Sequence, residues 1–162
     1  MRLEAIESVY RERLPAFVRV ATAIVGDREL ARDAVHDGFV RAVLYRRRFR
    51  GGGSPEAWLW RIVVNEARKR GAREARATPV DPSDLRVEHA VDNGRPSDEL
   101  SALIAALPER QRLTLFLRHY ADLDYAAIAH ALSVSQGTVG ATLNAAHKAL
   151  REQLEEVDRC LT

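Results

Sequence analysis

The 162 residues carry a formal charge of +2, but it is spread unevenly: residues 1–78 hold 17 basic against 10 acidic side chains, and residues 98–162 hold 6 against 9. The single cysteine, Cys160, excludes an internal disulfide and fits a reducing compartment. No apolar run reaches membrane-spanning length, and the start Met1-Arg2-Leu3-Glu4 lacks signal-peptide character, which excludes a membrane partner and points to a cytoplasmic protein.

A basic first half suits a polyanion, nucleic acid being the commonest, and equally suits an arginine-rich solvated surface. Composition favours an all-α fold, since Ala, Leu, Arg and Glu dominate and alternating strand patterns are missing. Residues 3–25 are expected to form a helix interrupted or kinked at Pro15. Gly26-Asp27 makes a turn, and residues 28–47 form a second helix. Projected at about 100° per residue, Ala31, Val35, Phe39 and Ala42 face a core. Asp33, Asp37, Val40 and Leu44 form a narrow stripe opposite. An exposed stripe mixing acids with large apolar groups calls for a covering protein. The alternative is packing against the first helix.

Phe49 to Gly53 reads as a loop, because Gly51, Gly52 and Gly53 favour no regular element. Ser54 followed by Pro55 is a strong helix start, and this third helix runs to about residue 76. Leu59, Ile62 and Val63 point to one side of it; Trp58, Arg61, Asn65 and Arg68 share another. A basic stripe edged by an aromatic suits single-stranded DNA, where cations track phosphates and an indole stacks on an unpaired base at about 1–3 kcal/mol. Trp60 reads as a core aromatic, and Trp58 fits either role equally. The runs Arg46 to Arg48, Arg50 and Arg68 to Arg70 extend the patch.

Residues 77–97 hold Pro79, Pro82, Gly94 and Pro96 and few large apolar groups, the composition of a linker. The chain is therefore expected to comprise two small helical domains, residues 1–76 and 98–162. In the second, Ser97, Asp124 and Ser135 are cap candidates for helices at 98–106, 125–131 and 136–158, and Pro108 opens one at 108–120. Leu123, Ile128, Ala129 and Leu132, a tight turn at Ser133-Val134-Ser135, and then Val139, Leu143, Ala146 and Leu150 make a helix-turn-helix pattern. Its groove side carries Gln136, Gly137, Thr138, Gly140, Ala141, Asn144 and Lys148. Gln136 and Asn144 suit base edges, and Lys148 suits a phosphate. An ordinary helical hairpin is the competing reading of this segment alone.

In order and spacing these fragments resemble the extracytoplasmic-function group of the sigma-70 family. The resemblance rests on Gly26-Asp27, the stretch Ala31 to Phe39, Phe49-Arg50-Gly51, Trp58-Leu59 with Ile62 and Asn65, and Leu107-Pro108 with Arg110 to Arg112. It continues through Leu123, Tyr125, Ile128, Ala129 and Leu132, then Gly137-Thr138-Val139 and Lys148 to Arg151. It implies a sigma factor that directs promoter recognition, DNA melting and transcription initiation. Core polymerase binding, to the clamp helices of its largest subunit, falls by resemblance on Asp33, Asp37, Val40 and Leu44. Minus-ten DNA binding falls on Phe49, Arg50, Trp58, Arg61 and Asn65, with Arg68 on the same stripe. The second domain is implied to read the minus-thirty-five element and touch the polymerase flap. Members are commonly held by an anti-sigma factor.

Where the family often carries positive charge, this chain has Gly140, Thr142, Asn144, Ala145 and His147. Phosphate attraction supplies much of DNA affinity, so the second domain is expected to bind DNA weakly by itself. Two rival classes stay open: a repressor using only the helix-turn-helix, and a sigma-like adaptor that binds polymerase without reading a promoter. An enzyme is not expected. The five histidines show no metal spacing with Cys160 or each other, and no phosphate loop or nucleophile elbow occurs, so no metal or cofactor is called for.

Overall fold

The computed structural model describes residues 1–77 and 98–160, and among them every regular element is helical. The elements are α1 (Leu3–Val25), α2 (Arg28–Tyr45), a single 3-10 turn (Arg46–Arg48), α3 (Pro55–Ala77), α4 (Asp98–Ala106), α5 (Glu109–His119), α6 (Tyr125–Leu132) and α7 (Gln136–Cys160). The linker expected over 77–97 lies outside the described residues, apart from Ala77, which still belongs to α3. Ser97, its expected cap role included, also lies outside them.

Side-chain caps set several helix starts. Asp27 accepts from the Leu30 N–H at 2.7 Å and Ser54 from Ala57 at 3.0 Å. Asp124 accepts from Ala127 at 2.7 Å and Ser135 from Thr138 at 3.1 Å. Each satisfies one of the amides that a first helical turn leaves without an internal partner. Gly26 ends α1 in the left-handed conformation at φ 79°, returning its N–H to the Thr22 carbonyl. Of the interruption or kink expected at Pro15, the interruption does not occur: α1 continues as one helix through it. Pro15 lies on the exposed side, where water can satisfy the carbonyl its missing N–H leaves free.

Helices α1, α2 and α3 pack on one another around Phe17, Val20, Val35, Phe39, Leu59, Trp60 and Val63, all buried. Phe17 and Trp60 stack with centroids 3.8 Å apart, and Phe39 meets both Phe17 and Tyr10 edge-on. This is the core stripe expected of α2, and it fixes Trp60 as a core aromatic whose indole N–H donates to Glu56 at 3.3 Å. A second set, Leu113, Leu117, Ile128, Leu132, Val139, Leu143 and Ala146, closes α5, α6 and α7 together. Between α6 and α7, Ser133 takes the left-handed conformation at φ 57°. Its N–H reaches the His130 carbonyl, and the N–H of Val134 reaches that of Ala129 at 2.9 Å. That turn ends α6 and leads the chain into α7.

The two helical sets are also in contact. α5 packs on α1, and α6 packs on α3.

Candidate docking and nucleic-acid surfaces

On α2 the stripe opposite the core is open to solvent. Val40 is 45% exposed and Leu44 68%, so neither packs on α1. They border an apolar groove of about 520 Å³ walled by Leu3, Ile6 and Tyr10 of α1 and by Phe39 and Val43. The α1 side of this groove was not singled out in the sequence. Its signal was present as Leu3, Ile6 and Tyr10 at helical spacing, but a core reading explains such spacing equally well. Asp33 and Asp37 continue the strip, yet they are not free: Arg70 of α3 bridges both, at 3.3 Å to Asp33. Arg70 therefore turns towards α2 and is not available to the basic run in which the sequence placed it.

The loop before α3 and the outer face of α3 form the second surface. Ser54 and Pro55 start the helix, which points Trp58, Arg61, Asn65 and Arg68 away from the buried Leu59 and Val63. Trp58 is half-buried and meets the Phe49 ring edge-on at 5.7 Å, which brings the loop aromatic to the helix aromatic. Arg50, Arg61 and Asn65 are exposed. Arg68 is tied to Glu109 of α5 at 2.9 Å. Gly51 sits at φ 75°, a conformation only glycine adopts freely, so the loop's path depends on it.

The third surface is the outer side of α7. Gln136, Gly137, Ala141, Asn144 and Lys148 are exposed, and Thr138 and Gly140 half-buried. The core positions Val139, Leu143 and Ala146 face away from them. Gly140 lies under the Tyr125 ring, and the Thr138 hydroxyl pairs with that of Ser135 at 2.8 Å. Lys148 has Glu152 at 3.8 Å, which further dilutes positive charge on an already neutral face. Among the described residues no group of His, Cys, Asp or Glu is arranged to hold a metal ion, and no helix is long and apolar enough to cross a membrane.

Residues 9–77 match the family described as Sigma-70 region 2, and residues 97–150 match Sigma-70, region 4. The chain belongs to the sigma-70 family, in its extracytoplasmic-function type. It is 29% identical over 151 residues to the RNA polymerase sigma-H factor of Pseudomonas aeruginosa, covering 83% of this chain and 78% of that protein. With the RNA polymerase sigma-E factor of Streptomyces antibioticus it shares 29% identity over 154 residues, 94% of this chain and 86% of that one. The fold is similar to that of the sigma factor RpoE from Bartonella quintana, solved with the anti-sigma factor NepR: TM-score 0.72, 20% identity, 94% and 98% of the two chains covered. CnrH, solved with the cytosolic domain of CnrY, gives a TM-score of 0.70 at 21% identity over 96% and 90%. The chain is thus an RNA polymerase sigma factor, a protein of transcription initiation, and the repressor and adaptor readings are not favoured.

Proposed function

We propose that the three surfaces divide the work of initiation. The strip of Asp33, Asp37, Val40 and Leu44 docks on the clamp helices of core polymerase. Phe49, Arg50, Trp58, Arg61, Asn65 and Arg68 hold the minus-ten element as its strands separate. Gln136, Gly137, Thr138, Gly140, Ala141, Asn144 and Lys148 meet the minus-thirty-five element while the second domain touches the flap. The chain makes and breaks no covalent bond in this scheme. Binding to the strand-separated form offsets the few kcal/mol that unpairing and unstacking cost. The protein acts with polymerase inside the cell, and an anti-sigma factor covering these surfaces would silence it.

The observation that carries the reading is the exposed Leu44 beside an apolar groove on a helix whose other face is fully buried. Burying a leucine on docking is worth about 1.5–3 kcal/mol. Leu44→Glu should therefore weaken core polymerase binding by about 10- to 100-fold and leave the thermal midpoint of the free chain unchanged. Equal core affinity for the variant and the parent would remove Leu44 from the interface.

A further inference from the structure

Charge enters the joint between α2 and α3 at a position where the helix pattern calls for an apolar side chain. At about 100° per residue, Leu59, Val63 and Arg70 fall within about 40° of one another on α3. Leu59 and Val63 are buried, whereas 31% of the Arg70 side chain is exposed. Arg70 thus stands at the end of the stripe that faces the core, with α2 packed alongside.

Its guanidinium is used as a fork. Nη1 donates to Oδ2 of Asp33 at 3.3 Å, and Nη2 donates to Oδ2 of Asp37. The two acids stand one helical turn apart on α2, a spacing at which like charges repel. Their side chains are 66% and 49% exposed, so the arginine lies deeper than either and both acids still meet solvent. A lysine cannot replace this contact. An ammonium is one point charge, whereas a guanidinium offers separate N–H groups in a fixed plane.

A second bridge crosses the same joint in the opposite sense, from Arg41 of α2 to Glu66 of α3 at 3.2 Å, and Glu66 also holds Lys69 at 3.0 Å. That bridge ties the two helices without touching the strip of Asp33, Asp37, Val40 and Leu44. Arg70 touches two of its four members. We propose that Arg70 is a positioning residue of the docking strip: it holds Asp33 and Asp37 side by side in the geometry that meets cations of the polymerase. Side chains ordered before docking lose less freedom on docking. The inference rests on the docking role proposed for the strip above, and it adds a residue of α3 to a surface carried by α2.

Core-binding titrations with the full chain test this. Arg70→Met keeps the apolar stem and removes the fork. It should weaken core polymerase binding about fivefold and leave the thermal midpoint of the free chain close to the parent's. Arg70→Lys should recover little of that loss. Asp33→Asn/Asp37→Asn should weaken binding about tenfold, and in that background Arg70→Met should change it by less than about twofold. Glu66→Gln, which breaks the neighbouring bridge, should leave core affinity unaltered. Tighter binding by Arg70→Met would mean that the arginine competes with polymerase for the acids, and overturns the proposal. An equal loss in both backgrounds overturns it too, since Arg70 would then only brace the helices. A loss confined to the acid-to-amide variant removes Arg70 and leaves the docking role standing. Full binding by the acid-to-amide variant removes both acids from the interface, and Arg70 with them.

Discussion

Gly38 of α2 packs directly against Val63 of α3, joining the helix that carries the docking strip to the one that carries the DNA-holding face. A Cβ at position 38 would stand 2.9 Å from Val63 Cγ2 and 3.1 Å from its Cα. The second distance is to backbone, so relief requires the helices to move apart. Gly38→Ala gains about 1 kcal/mol of helix propensity but overpacks the contact at about 1–3 kcal/mol. The expected outcome is a net loss of about 1 kcal/mol, read as a lower denaturant midpoint. An unchanged or raised midpoint would show that the joint yields freely.

Arg61 is exposed on α3, a different helix from the one that carries the docking strip. Arg61→Ala should lower promoter opening by about tenfold, the scale of one lost phosphate or stacking contact, with core binding preserved. Open-complex formation followed by the reactivity of unpaired thymines, alongside a core-binding titration, separates the two effects. Parallel losses in both assays contradict the role given to this arginine.

Much of the architecture was readable from local chemistry. Asp124 and Ser135 announced α6 and α7 because a cap depends on a residue's own side chain and an amide three positions on. The α2 core face followed from spacing alone. Three features escaped. The chain continues as helix through Pro15 because solvent, not sequence, decides the cost of one lost hydrogen bond at an exposed position. Arg70 lay in a run read as a phosphate patch, and only the packing of α3 on α2 turns it towards Asp33 and Asp37. The Arg13–Ala121 contact joins residues 108 positions apart, and no periodicity encodes it.

Ser133 ends α6 in a conformation that costs an ordinary L-residue about 1–2 kcal/mol, and glycine much less. Ser133→Gly should raise the stability of the helix-turn-helix domain by about 0.5–1 kcal/mol, visible as a higher thermal midpoint. A lower midpoint would mean that the Ser133 side chain contributes more than its backbone strain costs.

His119 of α5 faces His147 of α7 with ring centroids 5.7 Å apart. Burial, then the neighbouring His147 and Arg118, hold its pKa below the ordinary 6.5. The unfolded chain therefore binds a proton before the folded one does, so the associated stability is present above pH 6.5 and is lost as pH falls through that value towards the folded pKa. Thermal melts across this window should show the second domain weakening with acid, and His119→Gln should flatten the dependence. A slope unaltered by the substitution assigns it to another group.

The most direct test is transcription reconstituted from purified core polymerase, this chain and a template carrying the DNA upstream of its own gene, with no inhibitor present. A discrete transcript that requires both proteins, and falls away with Leu44→Glu and with Arg61→Ala, is the predicted result. If the chain neither associates with core polymerase nor directs any defined start, it does not act as an initiation factor through these surfaces.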